Sequence, residues 1–211
     1  MLYTTINIIE GDLKMKKFKD YNETQSYTES AKLPVGGYIV KVQNIRLEEG
    51  TNGNSDRLIL MVDVSEGEHK DFYKNQYESQ TGEDKKWKGT FTIYCPKDDG
   101  SEQDKWTKRR FKTIMEHIEA SNPGYSWNWD ENTLKGKSFG ALVGEINTVI
   151  DGRDISYNAI RFTTTVDNIK KGNFKIPEPY TRGATSAGAK KEATGSEDFM
   201  SVDGTQEEIP F

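Results

Sequence analysis

Residues 34–66 read PVGGYIVKVQNIRLEEGTNGNSDRLILMVDVSE, and their patterning decides the fold class. Tyr38, Val40 and Val42 recur at every second position within Val35 to Leu47, the period a half-buried β-strand requires. Thr51-Asn52-Gly53-Asn54 then supplies an Asn-Gly turn, a pair that reaches positive φ at little cost. The return stretch, Arg57 to Glu66, places Leu58, Leu60, Val62 and Val64 on one face and Arg57, Ile59, Met61 and Asp63 on the other. Gly67 ends it. The body of the chain therefore opens with a β-hairpin.

Downstream of the hairpin, Phe72 to Ser79 reads as a third strand, and Thr90 to Cys95 as a fourth short one or an extension of the third, with a polar loop at Gln80 to Gly89 between them. Residues 104–120 predict a helix, because Phe111, Ile114, Met115 and Ile118 recur at i, i+3, i+4 and i+7, and Asn122-Pro123-Gly124 stops it. After the aromatic segment Tyr125 to Trp129, two strands are expected at Lys137 to Ile150 and Arg153 to Val166, joined by a tight turn at Asp151-Gly152. The expectation is a mainly β fold: a five-stranded oligonucleotide-binding (OB-like) barrel with one helix between its third and fourth main strands. A sandwich of similar strand count is the alternative.

The ends of the chain have a different character. Residues 1–14 read MLYTTINIIEGDLK and precede Met15-Lys16-Lys17-Phe18, a common style of bacterial start. Codons for Glu10-Gly11-Asp12 can spell a ribosome-binding sequence, so translation is expected to begin at Met15; the alternative is a short strand on Ile6, Ile8 and Ile9. Beyond Pro177 and Pro179 the composition turns to Ala, Gly, Ser, Thr and charged residues, too poor in apolar side chains to fold. The expected organisation is an extension at 1–33, a folded domain at 34–180, and a disordered linker and acidic tail at 181–211.

The formal charge of −5 argues against a nucleic-acid partner only until its distribution is read. Glu192, Glu197, Asp198, Asp203, Glu207 and Glu208 lie in residues 192–211 with no Lys or Arg, so the other 191 residues carry about +1 and can hold a basic groove. Cys95 is the sole cysteine, which excludes an internal disulfide and any cysteine cluster for zinc or iron-sulfur. No apolar run approaches the roughly 20 residues of a membrane-spanning helix. A cytoplasmic protein with neither metal nor cofactor is expected.

Binding a single strand without sequence preference needs cations that follow the phosphates and aromatic faces on which bases stack. On the expected third strand, Tyr73 and Tyr77 share a face beside Lys74, either as a stacking platform or packed at a barrel rim. Lys85-Lys86-Trp87-Lys88 interleaves three cations with an indole in a loop. The helix adds Lys105, Lys108, Arg109 and Lys112 as a basic stripe, which also reads as a solvated face, since Glu116 can pair with Lys112. Lys41, Arg46 and Arg57 on the first hairpin extend the track.

The chain ends in Glu207-Glu208-Ile209-Pro210-Phe211. A terminal Phe offers a ring and an α-carboxylate to a pocket, Pro210 pre-sets the backbone, and upstream acids, Asp203 included, steer the tail toward basic surfaces. This tip resembles the C-terminal tip of bacterial single-stranded-DNA-binding proteins, where it is the partner-docking site. Residues 15–180 resemble a family of phage and prophage proteins from Gram-positive bacteria, through KLPVGGYIVKVQNIR, SDRLILMVDVSEGE, YESQTGEDKKWKGTF, PKDDGSEQDKWTKRRFK, SNPGYSWNWDE and GNFKIPEPY. The resemblance implies a phage replication or recombination setting. Single-stranded DNA and replication or recombination proteins are then the expected partners, and a homo-oligomer is compatible with the sequence.

Two rival readings differ in class. Catalysis would have to come from His69, His117 or an acidic loop of Asp98, Asp99, Glu102 and Asp104, which reads better as a solvated turn than as a magnesium site. An adaptor or inhibitor would use the tip to capture a host protein and have no use for DNA.

Overall fold

The computed structural model describes residues 31–182 and, before them, residues 16, 19, 21 and 22. The chain divides into two units, Met1–Ser30 and Ala31–Phe211, and the fold described here belongs to the second. The expected start at Met15, the alternative strand at Ile6, Ile8 and Ile9, and the tail with Asp203 and Glu207 to Phe211 lie outside the described residues.

Strands β1 (Gly36–Glu48) and β2 (Arg57–Val64) form the expected antiparallel hairpin. The turn between them holds Asn52 at φ 54° and Gly53 at φ 80°. Val40, Val42, Leu58, Leu60, Val62 and Val64 are buried on the inner face. A bulge between Val42 and Asn44 shifts the alternation of β1 by one residue, so that Ile45 also packs against the core.

The segment expected as a third strand is a helix, α1 (Phe72–Glu78). Tyr73 and Tyr77 are four residues apart, a spacing that puts two side chains on one face of a strand and of a helix alike. The choice is made elsewhere. Asp71 turns the chain with φ 59°, and the buried carboxylate of Asp63 accepts hydrogen bonds from Tyr73 N at 2.9 Å and Lys74 N at 3.1 Å, capping the first turn from ten residues upstream. An isolated carboxylate thus builds a helix start that no adjacent residue signals.

Strand β3 (Thr90–Tyr94) pairs with β2, and the long helix α2 (Glu102–Ser121) follows. Ser101 caps α2 by accepting from Asp104 N at 3.1 Å, while Phe111, Ile114, Met115 and Ile118 enter the core. At the other end Asn122 Nδ2 donates to Ile118 O and to Ser138 O, both at 2.7 Å, tying the helix stop to the next strand. Strands β4 (Ser138–Ile150) and β5 (Arg153–Thr164) make the closing hairpin, with Asp151 at φ 49° and Gly152 at φ 74° in its turn. Elements beyond those expected from the sequence include a short helix α3 (Val166–Lys171), capped by Thr165 and Gly172 where the last strand was expected to run on to Val166, and β6 (Tyr180–Thr181), which runs parallel to β4.

The architecture is mainly β: one six-stranded sheet in the order β3-β2-β1-β4-β5, with β6 beside β4, and α2 inserted between β3 and β4. The expected closed barrel is not what forms. Strands β3 and β5 come into contact, but among the described residues no hydrogen-bonded ladder joins them. The sheet stays open along this seam. Among the described residues, no helix is long and apolar enough to cross a membrane.

Candidate nucleic-acid interface

The face of β1-β2-β3 opposite the core carries a grid set by the pairing register. Residues facing each other across an antiparallel ladder point the same way. Arg46, Ile59 and Thr92 therefore form one row, Glu48, Arg57 and Tyr94 the next, and Asn44, Met61 and Thr90 a third. Glu48 sits between the two arginines, 2.5 Å from Arg46 and 2.8 Å from Arg57, and orients both guanidiniums across the sheet.

Beyond Tyr94 the grid meets the open seam, where α2 contributes Trp106 and Arg110, one turn apart. The Arg110 guanidinium lies over the Trp106 ring at 5.5 Å, and its Nη2 donates to Arg161 O of β5 at 3.2 Å. Arg161 in turn lies 5.0 Å from the Tyr180 ring and 5.5 Å from that of Phe162, which is 40% exposed. Gly144 makes room for this: a Cβ there would stand 2.9 Å from Pro177 and 3.0 Å from the Arg161 side chain. Burial lowers the pKa of both arginines, and for Arg110 the neighbouring Arg161 charge adds to that effect. Both stay cationic, since a guanidinium is not deprotonated in proteins. Cations and rings thus alternate from Arg57 through Tyr94, Arg110 and Trp106 to Arg161 and Tyr180.

A second group lies around α1. Trp87 is half-buried, its Nε1 donating to Gly89 O at 3.0 Å and Val62 O at 3.2 Å, which fixes the indole against β2. Its ring is 5.9 Å from that of Tyr77, and Lys85 Nζ stands 5.9 Å from the Tyr77 centroid. Lys74 and Lys86 are exposed and Lys88 is half-buried. Asp63, under α1, and Arg57, in the grid, are six residues apart on β2, roughly 20 Å at strand rise.

The expected sites divide accordingly. Tyr73 is a correction: it is 8% exposed, sits in the core, and burial pushes its hydroxyl up to about 12, so it offers no stacking face. Tyr77 does remain at the surface, at 37% exposure, on a helix rather than a strand. Lys41 is exposed opposite Asp63 in the ladder. The α2 stripe forms, but its lysines are paired: Lys105 with Glu102 at 2.6 Å, Lys112 with Glu116 at 3.7 Å, and Lys108 with Asp98 and, at 2.8 Å, with Asp104. The hydrogen bonds that Lys108 donates to Asp104 and Asp98 raise its pKa. Arg109 is exposed and makes no ion pair among the described residues.

The acidic loop has structural duties. Asp104 is buried and accepts from Lys97 N at 2.9 Å and Asp98 N at 3.0 Å, while Asp99 accepts from Ser101 N at 2.9 Å. His117 is half-buried with Nδ1 2.9 Å from Thr163 Oγ1, and His69 packs edge-on against Tyr38 and Phe72.

Sequence reasoning reached Arg46 and Arg57 but missed Tyr94, Trp106, Arg110, Arg161 and Tyr180. One signal was present: Trp106 and Arg110 are at i and i+4 and so share a helix face. In comparison with known proteins, no family model matches the chain and no curated protein matches it.

Proposed function

We propose that this protein binds single-stranded DNA without sequence preference and without altering it, across the outer face of β1-β2-β3 and along the seam. It would act in phage replication or recombination in a bacterial cytoplasm. The observation that carries the reading is the seam itself, where two arginines and the rings of Tyr94, Trp106, Phe162 and Tyr180 lie side by side. Rings that stack bases and cations that follow phosphates are the two requirements of strand binding. The strand order β3-β2-β1-β4-β5 with a helix before β4 fits an OB-like barrel left open at one joint, and the middle strands are the usual binding face of that fold. The C-terminal tip, Glu207 to Phe211, supplies the second half of the proposal by recruiting replication or recombination proteins.

One observation favours the rival adaptor reading: the lysines of α2 and both hairpin arginines already hold carboxylates. Anisotropy titration of a labelled oligo-dT with the full chain at several salt concentrations separates the two. DNA binding gives an affinity that falls log-linearly with salt, and Arg161→Gln weakens it and flattens the slope by about 0.7, one phosphate contact on a single strand. Absence of binding at low salt leaves the adaptor.

A further inference from the structure

We infer that Trp129 is a second base-stacking position, which carries the bound strand across α2 from the seam to the loop that follows the helix. The inference rests on the strand-binding reading above and adds a contact on the opposite flank of α2. Trp129 is 77% exposed, more than any other large apolar side chain among the described residues. One face of its indole is occupied: the ring is nearly parallel to that of Phe111, at 7° and 6.0 Å between centroids, and tilted 56° to Trp127 at 6.1 Å. The other face is open to solvent.

Burial does not hold Trp129 there; the loop does. Its backbone has φ 67°, a left-handed conformation that bulky residues rarely adopt. Hydrogen bonds fasten the chain on both sides. Trp127 N donates to Glu119 Oε1 at 2.7 Å, Asp130 N to Asn128 Oδ1 at 3.2 Å, and Asn132 N to Asp130 Oδ1 at 3.0 Å. Trp127 Nε1 is buried and without a hydrogen-bond partner among the described residues. A backbone outlier, an orphaned indole donor and an almost bare ring within three residues form a costly arrangement, of the kind that persists where a ligand uses it.

The size and charge of the patch select the ligand. Phe111 is buried and Trp127 half-buried, so the open apolar surface is a single ring face. That suits one planar base; an apolar peptide segment needs a groove for several side chains. Cations adjoin it on α2. Lys108 lies one turn before Phe111, and Lys112 follows it with a loose 3.7 Å pair to Glu116 in which both partners are largely exposed. Lys112 can exchange that carboxylate for a phosphate, while Lys108 is held by Asp98 and Asp104. Exposed Arg109 lies between Lys112 and the Trp106 edge, so cations cross the helix from one ring cluster to the other.

The test uses the full chain with labelled oligo-dT of increasing length. Trp129→Gly removes the ring and relieves the positive φ, so the thermal midpoint stays level or rises while affinity for oligonucleotides long enough to cross α2 falls by about 5- to 100-fold. Trp129→Phe retains part of that affinity. For the shortest oligonucleotides that bind, Trp129→Gly matches the wild type. A W129G protein with wild-type affinity at every length, while R161Q loses affinity, overturns this inference alone. A wild type that binds no oligonucleotide overturns the underlying reading with it.

Discussion

Replacing Asp63 with Ala removes three backbone hydrogen bonds at once. Its Oδ1 accepts from Val64 N and Tyr73 N, both at 2.9 Å, and its Oδ2 accepts from Lys74 N at 3.1 Å. The first two bonds are buried and the third is partly accessible to water. A buried donor left without a partner costs about 1–3 kcal/mol, so the two fully buried ones set a loss of about 2–6 kcal/mol. An opposing effect trims it. Burial, with the Asp71 charge adding to it, raises the Asp63 pKa against the lowering by its backbone donors, so the ionised carboxylate is itself disfavoured, and its removal returns part of the loss. The expected destabilisation of Asp63→Ala is about 2–4 kcal/mol, read as a fall of about 1–2 M in the urea midpoint. Asp63→Asn keeps the Oδ1 acceptor and loses one bond, for about 1 kcal/mol. Because the folded-state pKa is raised, the carboxyl's contribution is full below the unfolded value near 3.9 and is lost as pH rises through the folded value. The deficit of Asp63→Asn should therefore shrink as pH climbs out of the carboxylate range. An Asp63→Ala protein within about 0.5 kcal/mol of wild type would refute the account of how α1 is held.

A methyl at Gly89 would stand 2.4 Å from Val62 O and 2.5 Å from the Tyr73 ring, so Gly89→Ala should cost about 1–3 kcal/mol in a denaturant melt. Burial lowers the pKa of His117, so its stabilising effect is present above the unfolded value near 6.5 and is lost as pH falls through the folded one. His117→Gln should flatten the decline in thermal midpoint between about pH 7.5 and 5.5, as checked by scanning calorimetry. Deleting Ile209 to Phe211 should abolish pull-down of replication or recombination proteins while leaving oligo-dT affinity unchanged or raised; retained capture would remove the docking role of the tip.

The sheet was legible where apolar side chains alternate, as Leu58, Leu60, Val62 and Val64 do, although Ile59 and Asp63 on the other face of β2 are buried as well. Helix α2 was legible for the same reason at a different period. Helix α1 was not, since Tyr73 and Tyr77 fit both periods and the deciding carboxylate, Asp63, lies within another strand. The seam was still less visible. Tyr94, Arg110, Arg161 and Tyr180 sit on four separate elements, and only the sheet order brings them together. The fully buried Val62 and the partly exposed Arg57 announce themselves through local pattern, whereas convergence of distant residues has no local trace.

The unlatched joint between β3 and β5 has a consequence for self-association. An open sheet offers extended chains a template on each free border, and proteins that leave such borders bare tend to stick to their own copies. Here β3 is only five residues long, roughly 17 Å, which allows few rungs for an incoming strand. The Arg110 side chain already occupies one β5 carbonyl and places a fixed positive charge at the opening. The gap is thereby guarded against neighbouring molecules without being sewn shut.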